Sequence, residues 1–356
     1  MLARGLLEAH QAASEAGSVL HQDSSMPQML RRGLALLSRI SVEEGAPDLG
    51  ASLHVMNELA TRPMAGWGLQ AFRAPFKYAD VVLVDGEAGV ATEDCRELAR
   101  EASGGEIAAA ETIYHERLRE AVAKRPRNQR DAAYEALRSF VVRNPAIPQD
   151  ELIRFIARGG HTASLQVVQA FYRPVPQTAL FGTRAHRCAH CHSLLWPDRD
   201  KTSYPDGRCR IRQCRLAHPT SELGAVIEDP SSWRIATPAV TAYWVGPGLD
   251  EVNICDALLA SGRKAVLYPQ QDAADVGVDG LDIGIDVKTY ASPVTLGNKL
   301  TRDTGRLGMF ARRFLAVPDD KLRNNRDYLR QLRESYRGKL GIEFVTVSQV
   351  IEELSA

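Results

Sequence analysis

Four cysteines crowd into one short window of this chain: Cys188-x2-Cys191, then 17 residues, then Cys209-x4-Cys214. Only two other cysteines occur in 356 residues. A Cys-x2-Cys turn lets two thiolates converge on one cation, and a second pair across a hairpin completes a tetrahedron. Pro205-Asp206-Gly207 supplies a turn between the pairs. The spacing predicts a zinc-ribbon-like module over residues 184–220. Four thiolates leave no open coordination position, so the Zn2+ is structural. His186, His190, His192 and His218 are near enough in sequence to replace a cysteine ligand.

This module divides the chain. Residues 1–183 predict a mainly helical N-terminal domain: 26–40, 92–102, 105–124 and 129–144 are rich in Ala, Leu, Glu and Arg at helical spacing. The exception, 77–89, reads as a strand. His54, His115 and His161 stand alone and read as packing or surface residues, and Cys95 as a small core residue. Residues 221–356 mix strands and helices, with Ala239–Val245 read as a strand, 246–262 as a turn and helix, and strands near 264–269, 273–278, 281–290, 314–317 and 342–347. The fold class is α+β overall.

Net charge is zero, so no global field favours a polyanion, but local fields do. Residues 184–215 carry eight basic and three acidic side chains beside Trp196 and Tyr204, a set suited to phosphate contact. No apolar run approaches the roughly 18 residues of a membrane span. Glu8, His10 and Glu15 interrupt the N-terminal segment where a signal peptide would be apolar. These features point to a cytoplasmic protein with no membrane partner. Neither a P-loop nor a Gly-x-Ser-x-Gly or His-Glu-x-x-His motif is present.

The chemistry concentrates in LDIGIDVKTY, residues 281–290. Leu281, Ile283, Ile285 and Val287 alternate with Asp282, Gly284, Asp286 and Lys288. Asp279-Gly280 favours a two-residue hairpin in which 278 opposes 281. That register gathers Asp275, Asp282, Asp286 and Lys288 on one face, with Gly277 and Gly284 leaving room above it. Asp275 would lie diagonal to Asp286, roughly 7–8 Å away. Two carboxylates at such a span can share a hard cation, and Lys288 would stand beside it to hold a water or phosphate oxygen. Asp282, near the turn, is a poorer candidate.

Residues from about 239 to 347 resemble the restriction-endonuclease-like superfamily, the PD-(D/E)xK nucleases. The matching pieces are Glu251 on the first helix, Asp275 on the second strand and Asp286-Val287-Lys288 on the third. More narrowly, YWVGPGLDE, VLYPQQDAADVGV and IDVKTYASPVTL resemble the nuclease associated with prokaryotic PIWI-type defence islands, which also carries a zinc-ribbon-like module ahead of its catalytic domain. The resemblance implies an α/β core with a mixed central sheet over 221–356. It implies that Asp275 and Asp286 ligate Mg2+ (or Mn2+), with Glu251 as accessory acid and Lys288 as catalytic lysine. It also implies DNA cleavage in defence against foreign DNA, alongside a PIWI-type protein and a helicase. Ala274 stands where the superfamily's name has proline, and Asp286 where glutamate is commoner. Tyr290 either touches a phosphate or packs.

Lys299, Arg302 and Arg306 are spaced to share one face of the helix opened by Ser292-Pro293, as a nucleic-acid-binding wall. From 299 to 339 twelve basic residues face five acidic ones. A competing reading is a non-catalytic, zinc-containing nucleic-acid-binding adaptor in a defence complex. An adaptor has no need of the Asp275, Asp286 and Lys288 set.

Overall fold

The computed structural model describes residues 1–16, 26–73, 75–87, 89–101 and 110–356. They form two compact units, each assembled from separate stretches. The first takes Met1–Ala110, Thr289–Thr304 and Lys321–Lys339. The second takes Glu111–Lys288, Gly305–Asp320 and Leu340–Ala356. Residues 111–183, which the sequence groups with the N-terminal helices, thus contribute to the second unit. Among the described residues no helix is long and apolar enough to cross a membrane.

The first unit is helical, as its composition predicts. Helices Leu2–Ala16, Gln28–Glu43, Leu53–Ala60 and Glu93–Glu101 bury Leu6, Leu30, Leu37 and Met56 around one core. Gly5 permits the close approach of the first two, since a Cβ there would fall 2.2 Å from the Leu30 nitrogen. Cys95 is buried in this core, and burial pushes its thiol up to about 12. The helices expected over 92–102 and 105–124 are seen as Glu93–Glu101 and Ala110–Ala123; residues 102–109 lie outside the described residues. The strand expected over 77–89 shrinks to Val84–Asp85, paired with Val90–Ala91. Its apolar residues are packed in turns instead.

Helix Pro293–Arg302 belongs to this unit and begins as the sequence predicts, with the Ser292 hydroxyl accepting from the Thr295 N–H. Asp94 reinforces the start: its carboxylate accepts the N–H groups of Ala291 (2.7 Å) and Ser292 (3.1 Å). Burial outweighs those bonds and pushes Asp94 up to about 6. A folded-state pKa above the unfolded 3.8 means stability is fully present below about pH 4 and is lost as pH rises through 6. The loss is about 3 kcal/mol for two units. Urea unfolding followed between pH 4 and 7 should show this decline in the wild type. Asp94→Asn should lack it, and an identical slope in both proteins would refute the assignment.

The second unit is built on a mixed five-stranded sheet in sequential order: β1 (Ala265–Leu267), β2 (Val276–Val278), β3 (Ile283–Val287), β4 (Arg312–Val317) and β5 (Glu343–Thr346). β1, β2 and β3 are antiparallel; β3, β4 and β5 are parallel, which requires the long crossovers that follow β3 and β4. Helices α1 (Ala110–Ala123), α2 (Arg127–Arg143), α3 (Gly246–Ala260) and α4 (Val347–Ser355) complete the part that matters for the site. α3 packs on α4 and on β1. A capping box at Thr346 and Gln349 starts α4.

Three expectations need correction. Ala239–Val245 is helical, not a strand: Thr237 caps a turn at Pro238–Val240, and Thr241–Val245 forms a π-helical segment leading into α3. A buried apolar run has no periodicity to separate the two cases. Pro247 lacks an N–H and its ring would crowd a regular helix, which the wider π turn before it relieves. The hairpin register is shifted by two residues: Val278 opposes Ile283 and Val276 opposes Ile285. Residues 279–282 form a four-residue turn, with Asp279 (φ 53°) and Gly280 (φ 82°) left-handed. Because the shift is even, the faces survive. Finally, the two glycines do not leave open space. A Cβ on Gly284 would lie 2.5 Å from the Phe310 ring, and one on Gly277 would lie 2.8 Å from Pro269. They admit packing side chains above the sheet, and only its Asp275, Asp286 and Lys288 end stays polar.

Candidate functional site

The cysteine cluster forms as expected. Cys188 ends strand Arg184–Cys188, Cys191 follows in a tight turn, Cys209 ends strand Arg208–Cys209, and Cys214 lies in helix Arg212–Ala217. All four are buried, and their sulfurs lie within 4.8 Å of one another. The Cys188–Cys214 and Cys191–Cys209 separations are 3.8 and 3.5 Å. A tetrahedron with Zn–S bonds of about 2.3 Å has edges of about 3.8 Å, so the donor set fits zinc. Hydrogen bonds from its neighbours pull Cys188 far down, while Cys191 and Cys214 are pushed up. Three of the four nearby histidines are engaged elsewhere: His186 with the Asp206 carbonyl, and His190 stacked on His218 at 3.7 Å. The Arg210 guanidinium lies 3.8 Å over the Trp196 ring, and Arg208 lies 5.4 Å over Tyr204.

The acidic site lies at the end of β2 and β3. The regular ladder stops at Val276–Ile285, and beyond it the Asp275 N–H donates to the Ile285 carbonyl. The Asp275 carboxylate then takes the place of a backbone acceptor, receiving the Val287 N–H at 2.6 Å. Lys288 turns its ammonium between the two aspartates, 3.5 Å from Asp275 Oδ2 and 3.2 Å from Asp286 Oδ2, and donates to the Val287 carbonyl at 3.1 Å. Asp286 remains partly open to solvent. Glu251, on α3, is buried and accepts the Tyr268 hydroxyl proton at 2.5 Å. Burial pushes Asp275 well above the usual carboxylate range, and Glu251 and Asp286 add to this; burial likewise raises Glu251. A divalent ion reverses that cost.

The site therefore gathers Asp275, Asp286, Lys288 and Glu251. Among the described residues, only the four cysteines bring three or more metal-ligating side chains within a mutual 4.8 Å; the acids are looser. Mg2+ is commonly held by one or two carboxylates with water completing the shell, so a loose pair of hard oxygen donors fits it. Asp282 is exposed in the turn. Tyr290 is buried, beyond β3, and its carbonyl accepts from Tyr328 at 2.7 Å. Lys299, Arg302 and Arg306 do not share a helix face: the helix ends at Arg302, which pairs with the buried Glu97, and Arg306 donates to the Gln270 and Gln271 carbonyls.

The sequence reading missed Tyr268 and the groups behind it. Tyr268 is left-handed (φ 58°), as are Gln270, Gln271 and Asp272. The Asp272 carboxylate pairs with Arg138 of α2 and with His115 Nδ1 of α1 (2.8 Å), and accepts from the Tyr134 hydroxyl (2.8 Å). The Trp244 indole donates to His115 Nε2 at 3.2 Å, which leaves the proton on Nδ1 facing Asp272. Burial alone would raise Asp272, but Arg138 and His115 hold it below the carboxylate range. No motif links 115, 134 and 138 to 268–272, and the signal lies only in the packing.

The mixed sheet thus carries two aspartates and a lysine at one end. Two family models match the chain. One, described as "REase associating with pPIWI_RE", covers residues 248–356; the other, "pPIWI_RE three-gene island domain Y", covers residues 1–148. Both matches associate the chain with pPIWI_RE defence islands. The cysteine module lies between the matched stretches. No curated protein and no solved structure matches the chain.

Proposed function

We propose that this chain is a metal-dependent endonuclease of the PD-(D/E)xK type that hydrolyses DNA in prokaryotic defence. The observation that carries the reading is the Lys288 ammonium set between the Asp275 and Asp286 carboxylates. The match described as an REase, the abbreviation of restriction endonuclease, spans Glu251 and all three of these residues. The island names support work alongside a PIWI-type protein, and a helicase is part of the same proposal.

In this reading Asp275 and Asp286 would hold Mg2+ or Mn2+, with Glu251 as the accessory acid. The ion supplies Lewis-acid polarisation of the phosphoryl group and acidifies water. Lys288 donates a hydrogen bond to the attacking water and stabilises charge developing on the phosphate. Asp275, fixed by the Val287 N–H, keeps one carboxylate oxygen oriented. The zinc module, with Arg208 and Arg210 over aromatic rings, contacts the phosphate backbone.

The test is plasmid and linear DNA incubated with purified protein and Mg2+ or Mn2+. Wild type should nick or cut, and Asp286→Ala should not. Identical behaviour of the two would leave the non-catalytic adaptor as the reading that stands.

A further inference from the structure

The acidic site is backed by a cation from a different part of the chain. Arg138, on α2, is buried, and its guanidinium lies 3.9 Å over the ring of Tyr268 and 5.3 Å over that of Trp244. Tyr268 joins the two acids: its hydroxyl donates to Glu251 at 2.5 Å and its N–H donates to the Asp275 carbonyl at 2.9 Å. A tyrosine in left-handed backbone is strained, and such strain persists only when the surroundings impose it. Here they do. Arg119 and Arg306 bond the Gln271 carbonyl, the Gln271 amide donates to Asp131, and Arg138 pairs with Asp272.

The cluster is costly as a structural device. Among the described residues Arg138 Nε and Asp272 Oδ1 find no hydrogen-bond partner, so the buried pair does not recover its full desolvation cost. Apolar side chains would pack the same space more cheaply. As part of a cation site it has a purpose. With Asp272 paired to Arg138, the acids Glu251, Asp275 and Asp286 outnumber the single Lys288 ammonium at the site, an excess that a divalent ion can balance.

We propose that Arg138 is a positioning residue for the metal site, acting through Tyr268 to fix the Glu251 carboxylate. The proposal rests on the nuclease reading above. The residue comes from the stretch matched by the domain Y model, while Glu251 and Tyr268 come from the stretch matched by the REase model. In this chain, then, one matched stretch completes the site of the other.

The experiment titrates Mn2+ alone into the full-length protein, with free ion read by electron paramagnetic resonance and thermal unfolding measured in parallel. Tyr268→Phe removes only the hydroxyl. Arg138→Lys keeps the charge facing Asp272 but loses the flat guanidinium face over the ring. Each should weaken Mn2+ binding about tenfold, as loss of groups that orient metal ligands commonly does. The double variant should weaken it no further, because both act through one link. Unchanged Mn2+ affinity in the single variants, or effects that multiply in the double, would overturn the proposal. Should Arg138→Lys not fold, the Tyr268→Phe affinity decides alone. Wild type that takes up no Mn2+ would overturn the nuclease reading itself, and the proposal with it. Wild type that binds Mn2+ with unaffected variants would overturn only the role of Arg138.

Discussion

Replacing Asp275 by asparagine should make the metal-free protein harder to unfold and, on the proposed nuclease function, slow DNA cleavage. The wild-type carboxylate is buried beside Glu251 and Asp286, and burial holds its pKa well above the unfolded value. A group raised in this way stabilises the fold at low pH and loses that contribution as pH rises through its folded pKa. Asparagine can still accept the Val287 N–H but never carries the charge. In EDTA at pH 8 the variant should therefore melt several degrees higher, at about 2–4 °C per kcal/mol for a unit of this size. Addition of Mg2+ should raise the wild-type midpoint, by mass action on the folded state, and leave the variant unmoved. Cleavage should drop by roughly 10³-fold, the scale on which one preorganised electrostatic group acts. A variant that melts lower in EDTA, or that still responds to Mg2+, contradicts the placement of Asp275 as a buried ligand.

If the four cysteines hold zinc, as proposed, its removal should dismantle the module at the centre of the sequence. Its strands are two to five residues long, and its apolar core is small: Ala146, Ala179, Ala185, Leu194, Trp196, Ile227 and Ile235 are the buried members. Structural Zn2+ contributes roughly 10–16 kcal/mol in small metal-nucleated folds. That is comparable to the whole net stability of a domain, about 5–15 kcal/mol. Cys209→Ser should leave the protein with well under one zinc per chain. Proteolysis should then cut between residues 181 and 227 while the sheet β1–β5 stays protected. Wild-type protein stripped by chelator should behave the same way and recover with Zn2+. Full protease resistance after stripping would show that the four cysteines are merely packed.

The sequence was most informative where covalent spacing alone dictates geometry. Four cysteines at their intervals announce a tetrahedral site, and the fold brings their sulfurs together. Asp286 and Lys288 are two apart on a strand, so their common face follows from the pleat. The turn that brings in Asp275 is two residues longer than Asp279-Gly280 suggests, and because the difference is even Asp275 keeps to the same face. Elsewhere the sequence was silent or misleading. Ala239–Val245 is rich in β-branched and aromatic residues, yet it is helical because Thr237 and Pro238 start a helix that packing then sustains. Gly277 and Gly284 suggested open space, and only the position of Phe310 and Pro269 shows it to be filled. Arg138, His115 and Tyr134 sit on ordinary-looking helices more than a hundred residues from the loop they anchor. Lys299, Arg302 and Arg306 show the opposite failure: a tidy periodicity that the helix does not last long enough to use.

The chain passes from one compact unit to the other five times, at 110, 288, 304, 320 and 339. Neither unit can be released by a single cut. Truncation at residue 220 would strip the second unit of α1 and α2, and with them the anchors of Asp272. It would also leave helix Pro293–Arg302 without the Glu93–Glu101 segment that caps and pairs with it. Recombination would meet the same obstacle. Exchange of the first third or the last third of the chain would replace parts of both units at once.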